Sequence, residues 1–318
     1  MLSYKKILSQ NHRTANVIIV KEVIYRGKQL IMRDFTYICP ETIDEVCQLL
    51  SEQEDAFLIA GGQSLLPLLR LRAADLSCLI DINGLKNANY ITFENQQVKV
   101  GPTARHAEVA DSEIAKNHCL VLSQVAAHIG DAQIRNRGTI CGSVANADPA
   151  GDPPVLSALL DAEIQATSIR GETIYSGSDF FHGFYATSLE EDEFITEVRF
   201  PEISSPTGVG YEKWEPSEGA YPVATVGALI TLDGDLISQA KIVTGAIEPG
   251  PTFTEDAASI LIGQKPTTEI ITEAAISVGE NSDPIDDAEG SIIFKQELMK
   301  TLSKRAIITA VGCAQGGA

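Results

Sequence analysis

The sequence predicts an α+β protein: a larger N-terminal part followed by a small antiparallel sheet packed with helices. Three observations carry this. Short apolar runs and segments with apolar residues at helical spacing alternate irregularly as far as Phe200. Two long apolar runs, 223–232 and 239–247, are then joined through Asp233-Gly234-Asp235, a strong hairpin signal. Three helical stretches, 255–261, 268–278 and 291–311, fill the remainder, and no internal repeat is evident.

Taken in chain order, segment 41–51 places Ile43, Val46, Cys47 and Leu50 on one side of a helix, and the apolar run 56–60 reads as a strand ending in Gly61-Gly62. Segment 78–82 reads as a buried strand, and 90–100 as a hairpin with Glu94-Asn95-Gln96 at the bend. Helices are predicted over 104–117 and 120–129. The Gly-, Asn- and Asp-rich run 130–154 has no clear periodicity and reads as a functional loop. Pro153-Pro154 stand near the first turn of a helix over 155–160, where a missing N–H costs little. Strands follow at 163–168 and 194–200, and 201–208, rich in Pro, Ser and Gly, reads as a linker.

A chain of 318 residues can hold two compact domains or one large one, with room for a cofactor-sized cleft. Asp plus Glu outnumber Lys plus Arg by 43 to 24, a net charge of −19, so nucleic acid and anionic membrane surfaces are repelled. A cofactor phosphate would need local backbone donors. No apolar run reaches the roughly eighteen residues of a membrane span. Cys39, Cys47, Cys78, Cys119, Cys141 and Cys313 form no C-x-x-C and have no nearby His, so no metal is expected on this chain; free thiols suit a reducing cytoplasm. Residues 1–31 fit no targeting class, and Met32 reads as a natural beginning, so 1–31 is expected to be a dispensable extension.

Two glycine-bearing segments hold the chemical interest. Ala60-Gly61-Gly62-Gln63-Ser64-Leu65-Leu66-Pro67 follows a strand and can bend several amides around a phosphate. It has neither the Lys of a G-x-x-x-x-G-K-[ST] loop nor the spacing of G-x-G-x-x-G. The second, from Arg135 to Pro149, packs small residues, hydroxyls and amides into a short span, which a planar cofactor needs for close approach. Alone, the first segment reads more readily as plain turn chemistry than as a ligand cradle, and the second is equally a self-capped loop.

Together, A-G-G-x-S-L-L-P after a strand and G-T-I-x-G-x-x-x-N-A-D-P-x-x-D farther on resemble the flavin subunits of the molybdenum hydroxylases, among them carbon monoxide dehydrogenase medium subunits and the flavin region of xanthine dehydrogenase. The resemblance runs from Met32 to the C-terminus and includes Glu193-Phe194-Ile195-Thr196-Glu197-Val198 and Tyr211-Glu212-Lys213. It implies a two-subdomain FAD-binding fold of the vanillyl-alcohol oxidase type over 32–205, and a C-terminal domain of three strands and helices over 206–318. It also implies that Leu58, Ile59, Ala60, Gly61, Gly62, Gln63, Ser64 and Leu65 wrap the pyrophosphate. Thr139, Cys141, Gly142 and Ser143 would run along the flavin, with Thr103, Gly138, Asn146 and Asp148 completing that part of the site. Ile129 would pack beside the cofactor, Asp152 would accept from it, Ile195 would meet the adenine or the ring edge, and Lys213 would be a basic residue close to the flavin.

The implied function is an FAD-carrying electron-transfer subunit of a heterotrimer, expected to assemble as a dimer of heterotrimers. A large subunit would carry the molybdenum cofactor and a small one the [2Fe–2S] clusters, with electrons leaving to an external acceptor. Alternatives are a stand-alone flavin oxidase or reductase of the same fold, and a flavin-free assembly subunit. Two departures matter. Cys141 stands where the family commonly has glycine, so its side chain either faces away or touches the flavin. Gln63 stands where many relatives carry His, and it cannot form a histidyl-flavin bond, so FAD is expected to be non-covalent. Arg135 and Arg137 read as either diphosphate partners or surface charges. Tyr221 could sit over the flavin face as a gate, but an aromatic next to Pro222 at the entry to a strand more often reads as core, and His106, His118, His128 and His182 read as ordinary residues. No general base is assigned.

Overall fold

The predicted alternation resolves into three sheets of four or five strands, each with its own apolar core, and two two-stranded pairs. A computed structural model describes residues 16–20, 23–25, 28–30, 35–53 and 55–317. The first sheet has the order Asn16–Val20, Phe35–Cys39, Cys78–Asp81, Ala56–Ile59. Its last three strands are parallel, and parallel neighbours need crossovers. Helices Ile43–Glu52 and Leu65–Leu71 supply them. Thr42 starts the first helix by accepting from the Glu45 N–H, and Val46 and Cys47 carry its buried face onto Ile38 and Ile80. Asn16–Val20 lies within the stretch expected to be an extension, and it pairs antiparallel with Phe35–Cys39 as the sheet's edge strand. Val23–Tyr25 pairs with Lys28–Leu30, and the rest of 1–31 lies outside the described residues.

The second sheet is antiparallel, in the order Gly171–Ser176, Glu163–Ser168, Phe194–Pro201, Gln97–Val100, Ile91–Glu94. The predicted bend at 94–96 is a tight hairpin turn with Asn95 and Gln96 both at positive φ, 53° and 60°. Phe194–Pro201 is the central strand, and its alternate residues serve two cores. Phe194 packs into the first sheet's core, while Ile195, Val198 and Phe200 enter that of the second. Buried Glu197 on the same strand accepts from the Tyr90 hydroxyl at 2.7 Å.

Two predicted stretches of the N-terminal part differ from the structure. The helix expected over 104–117 is broken at Ser112, which ends His106–Asp111 and caps Glu113–His118 through its hydroxyl. The run 130–154 is not a loop. It holds Ala132–Arg135, capped by Asp131, then Ile140–Asn146, capped by Thr139, and the start of Asp152–Leu159. Helices of 4 and 7 residues are too short to print a 3.6-residue period, so only their caps were readable.

The third sheet runs Thr207–Trp214, Ala224–Asp233, Leu236–Gly245, with the two-residue Thr252–Phe253 at its edge. Helices Thr268–Asn281 and Ile292–Ala314 complete its core. The first of these strands begins in the apparent linker at 201–208 and continues through 209–214, to which the sequence assigned no element. Its glycines mark a close helix-on-strand approach: a Cβ on Gly208 would fall 2.1 Å from Ala310 O, and one on Gly210 2.0 Å from Ala306 O. Among the described residues no helix is long and apolar enough to cross a membrane.

Gly210→Ala forces strand and helix apart, and such overpacking costs about 1–3 kcal/mol. Thermal unfolding of the variant should show a lowered Tm, and an unchanged Tm would contradict the close approach.

Candidate functional site

The two glycine segments meet backbone to backbone. Strand Ala56–Ile59 delivers the chain to Gly61, whose missing side chain is filled by the other segment: a Cβ there would lie 2.4 Å from Arg137 O and 2.6 Å from Gly138 Cα. Gly62 turns the chain at φ +72°, a conformation that favours glycine. The Gln63 side-chain amide donates back to Gly61 O at 3.1 Å. A bracket holds the junction from behind. The Arg105 guanidinium donates to Arg137 O and to Asn83 Oδ1, and Asn83 Nδ2 donates to Ala60 O at 2.8 Å.

In front of this junction opens a cavity of about 550 Å³, within the usual range for a small-molecule site. Its wall runs from Phe57 through Leu58, Ile59, Ala60, Gly61, Gly62, Gln63 and Ser64 to Leu65. It continues over Ile129, Gly138, Thr139, Cys141, Gly142, Ser143, Asn146, Asp148 and Asp152, and closes with Ile195 and Lys213. Every candidate from the sequence lies on it except Thr103. That residue is buried behind the wall with its N–H on Ala88 O, and Pro102 takes the lining position.

Of the two orientations open to Cys141, the structure takes the inward one. Its Sγ is directed at the Val100 and Gly101 carbonyls, 3.5 Å from each, inside the core, and burial raises its pKa. Thr139 is engaged as a helix cap on the Gly142 N–H at 3.1 Å. Arg135 donates to the carbonyls of Ile129 and Gly130 and so fastens the chain beside the cavity. Arg137 is exposed and gives its carbonyl to the Arg105 bracket.

Asp152 and Lys213 form the far end of the wall. Lys213 is nearly buried, in contrast to the solvated charge its neighbours Glu212 and Trp214 suggest. Its Nζ donates to Asp152 Oδ2 at 2.9 Å and to His128 O at 2.8 Å. The Tyr211 hydroxyl donates to Asp152 Oδ1 at 3.0 Å. Burial nevertheless raises the Asp152 pKa, with Lys213 and Tyr211 pulling it back.

Among the wall residues beyond the sequence candidates are two tyrosines and a histidine. Tyr221 is 64 % exposed at the cavity rather than core, and Tyr185, 61 % exposed, joins it with its hydroxyl 3.3 Å from Asp148 Oδ2. His106 is buried on the wall against Gly138. Nothing in their spacing marks them; long-range packing brings them in.

The wall fits an extended dinucleotide with a flat ring. Apolar Phe57, Leu58, Ile59, Ile82 and Ile129 flank turns rich in backbone amides. The wall's carboxylates, Asp148, Asp152 and Glu193, stand away from the Gly61–Gly62 turn in sequence and hold partners within the chain: Tyr185, Lys213 and Tyr175 in turn. Fold and site therefore define a flavin-dinucleotide-binding protein.

Comparison with known proteins narrows the class. Residues 33–203 match the FAD binding domain in molybdopterin dehydrogenase, and residues 210–310 match the CO dehydrogenase flavoprotein C-terminal domain. The chain is 33 % identical to the nicotine 6-hydroxylase medium subunit of Paenarthrobacter nicotinovorans, over 86 % of this chain and 96 % of that one. In structure it is similar to carbon monoxide dehydrogenase from Hydrogenophaga pseudoflava, with a TM-score of 0.84, 32 % identity, and coverage of 87 % of this chain and 96 % of that one. Quinoline 2-oxidoreductase from Pseudomonas putida 86 gives a TM-score of 0.85 at 30 % identity, covering 90 % and 99 %. The chain belongs to the FAD-binding medium subunits of the molybdenum hydroxylases, a family of oxidoreductases.

Lys213→Met leaves buried Asp152 without its counter-charge, with the Tyr211 hydroxyl still donating to it, a loss of about 3–5 kcal/mol. A carboxyl whose folded pKa lies above its unfolded value stabilises the fold at low pH, and that contribution is lost as pH rises through the folded pKa. Removing Lys213 raises the folded pKa further. Urea unfolding should therefore show a larger deficit at pH 8 than at pH 5, and an equal deficit at both would refute the pairing.

Proposed function

We propose that the chain is the FAD-carrying electron-transfer subunit of a heterotrimeric molybdenum-containing hydroxylase. Electrons would come from a small [2Fe–2S] partner and leave to an external acceptor, while a large partner holding the molybdenum cofactor oxidises the substrate. The observation that carries this reading is the backbone contact of Gly61 with Arg137–Gly138, which makes one wall of two motifs far apart in the chain. The relatives support it, since a medium subunit by name implies companions.

FAD, when bound, would supply a ring that takes up electrons singly from a [2Fe–2S] donor, stores two, and releases them onward. The chain's own work is to hold and orient. In this reading the backbone N–H groups over Leu58 to Leu65 wrap the diphosphate. Gly138, Thr139, Gly142 and Ser143 let the backbone approach the flavin, with Asn146 and Asp148 beside them. Ile129 and Ile195 give it apolar contact. Asp152, fixed by Lys213 and Tyr211, presents an acceptor, and Lys213 keeps that end of the site from becoming anionic. Cys141 belongs to the core side of this segment, so it does not obstruct the flavin. Gln63 offers no ring nitrogen for a covalent link, so FAD is held by contacts alone.

A self-sufficient oxidase would need a free acid or base for its substrate, and the buried Asp152 and Glu193 are already bonded within the chain. We assign 32–205 to the FAD-binding domain and 206–318 to the C-terminal one, in a cytoplasmic dimer of heterotrimers.

Affinity capture of the full chain from its native host should bring two companions, with molybdenum, iron and FAD in one complex, and acid precipitation should leave all the flavin in the supernatant. Isolation of the chain alone with full turnover of an alcohol would overturn the subunit reading. Flavin remaining on the precipitate would overturn non-covalent binding.

A further inference from the structure

His106 lines the cavity, yet its chemistry is unspent. It opens helix His106–Asp111, is 2 % exposed, and its Nδ1 has no partner among the described residues. The ring lies against Gly138, where a Cβ would come 2.7 Å from His106 Cδ2, and the His106 N–H donates to Gly138 O at 3.0 Å. On its other ring nitrogen, Nε2 stands 3.4 Å from Ser143 Oγ. Ser143 is half-buried and faces the same cavity.

Burial, reinforced by Arg105 and Arg135, holds the His106 pKa down at about 4, so the ring is neutral at pH 7. A neutral imidazole carries one proton, on one nitrogen or the other. On Nδ1 it would be a buried N–H with no acceptor, the rarer and costlier kind of orphan; a bare lone pair there is better tolerated. The proton therefore belongs on Nε2, where it faces Ser143 Oγ. A serine oxygen that accepts from the ring has its own O–H left to give elsewhere, and the cavity is the open direction.

We propose that His106 is a positioning residue for the cofactor: its Nε2–H donates to Ser143 Oγ and so turns the Ser143 hydroxyl into a directed donor toward an acceptor atom of bound dinucleotide. The assignment rests on the FAD reading above. The contact is long for a hydrogen bond, and such contacts tighten when the bound partner completes the chain of donors.

The test uses the full chain and FAD. With ¹⁵N-labelled histidine, the FAD-loaded protein should show the His106 ring protonated at Nε2; a ring protonated at Nδ1 overturns the proposal. Ser143→Ala and His106→Asn should each weaken FAD binding several-fold, up to about tenfold. The double variant should be no weaker than the poorer single one, because both remove one relay. Ser143→Thr, which keeps the hydroxyl, should recover most of the affinity. Additive losses, or Ser143→Ala at wild-type affinity, overturn it. Should His106→Asn fail to fold, the ring spectrum and the two Ser143 variants still decide. A wild-type chain that takes up no FAD would refute the cofactor reading itself, and the proposal with it, before any variant is made.

Discussion

The structure depends on one constraint: two pieces of main chain pass so close at Gly61 and Arg137–Gly138 that no side chain fits between them. One piece ends a parallel βαβ strand, and the other lies just ahead of a short helix of the second subdomain. Their contact makes a continuous wall out of separate folding elements. Backbone at such a junction must still satisfy its polar groups. The bracket of Arg105 and Asn83 does this by taking up the carbonyls of Arg137 and Ala60. Burial disfavours the charge on Arg105, and its pKa is lowered, burial being the main cause.

Charge is managed locally in a protein that is acidic throughout. Asp152 is buried with Lys213 and Tyr211 as partners, and a buried ion pair is retained for what it specifies more than for stability. Here it specifies geometry. Lys213 sits near the end of a strand of the third sheet and reaches His128 O and Asp152 in the second subdomain, so the pair sets how the C-terminal sheet meets the cavity. The central strand Phe194–Pro201 does the equivalent between the first two cores with apolar residues alone.

Much of this was legible in the residues. The strand before Gly61, the hairpin at Asn95-Gln96, the hairpin at Asp233-Gly234-Asp235 and the helix Glu255–Leu261 follow from periodicity and turn chemistry. The double motif and the segments that accompany it placed about half of the cavity wall. What escaped notice escaped for physical reasons. The start of strand Thr207–Trp214 was read as part of a linker because a glycine chosen for helix contact, Gly208, looks like one chosen for a turn. The helices within 130–154 were too short to show a period. Thr103 was set one residue too deep. Tyr185, Tyr221 and His106 reach the cavity through contacts between distant segments, which no local pattern records.

Because Lys213 and the 219–222 stretch form part of the wall, the cavity is finished by a domain that follows the glycine motifs in the chain. Any ligand that prefers the completed cavity then also favours the docked arrangement of that domain, by thermodynamic linkage. Loading the cofactor and seating the C-terminal domain become two readings of one equilibrium.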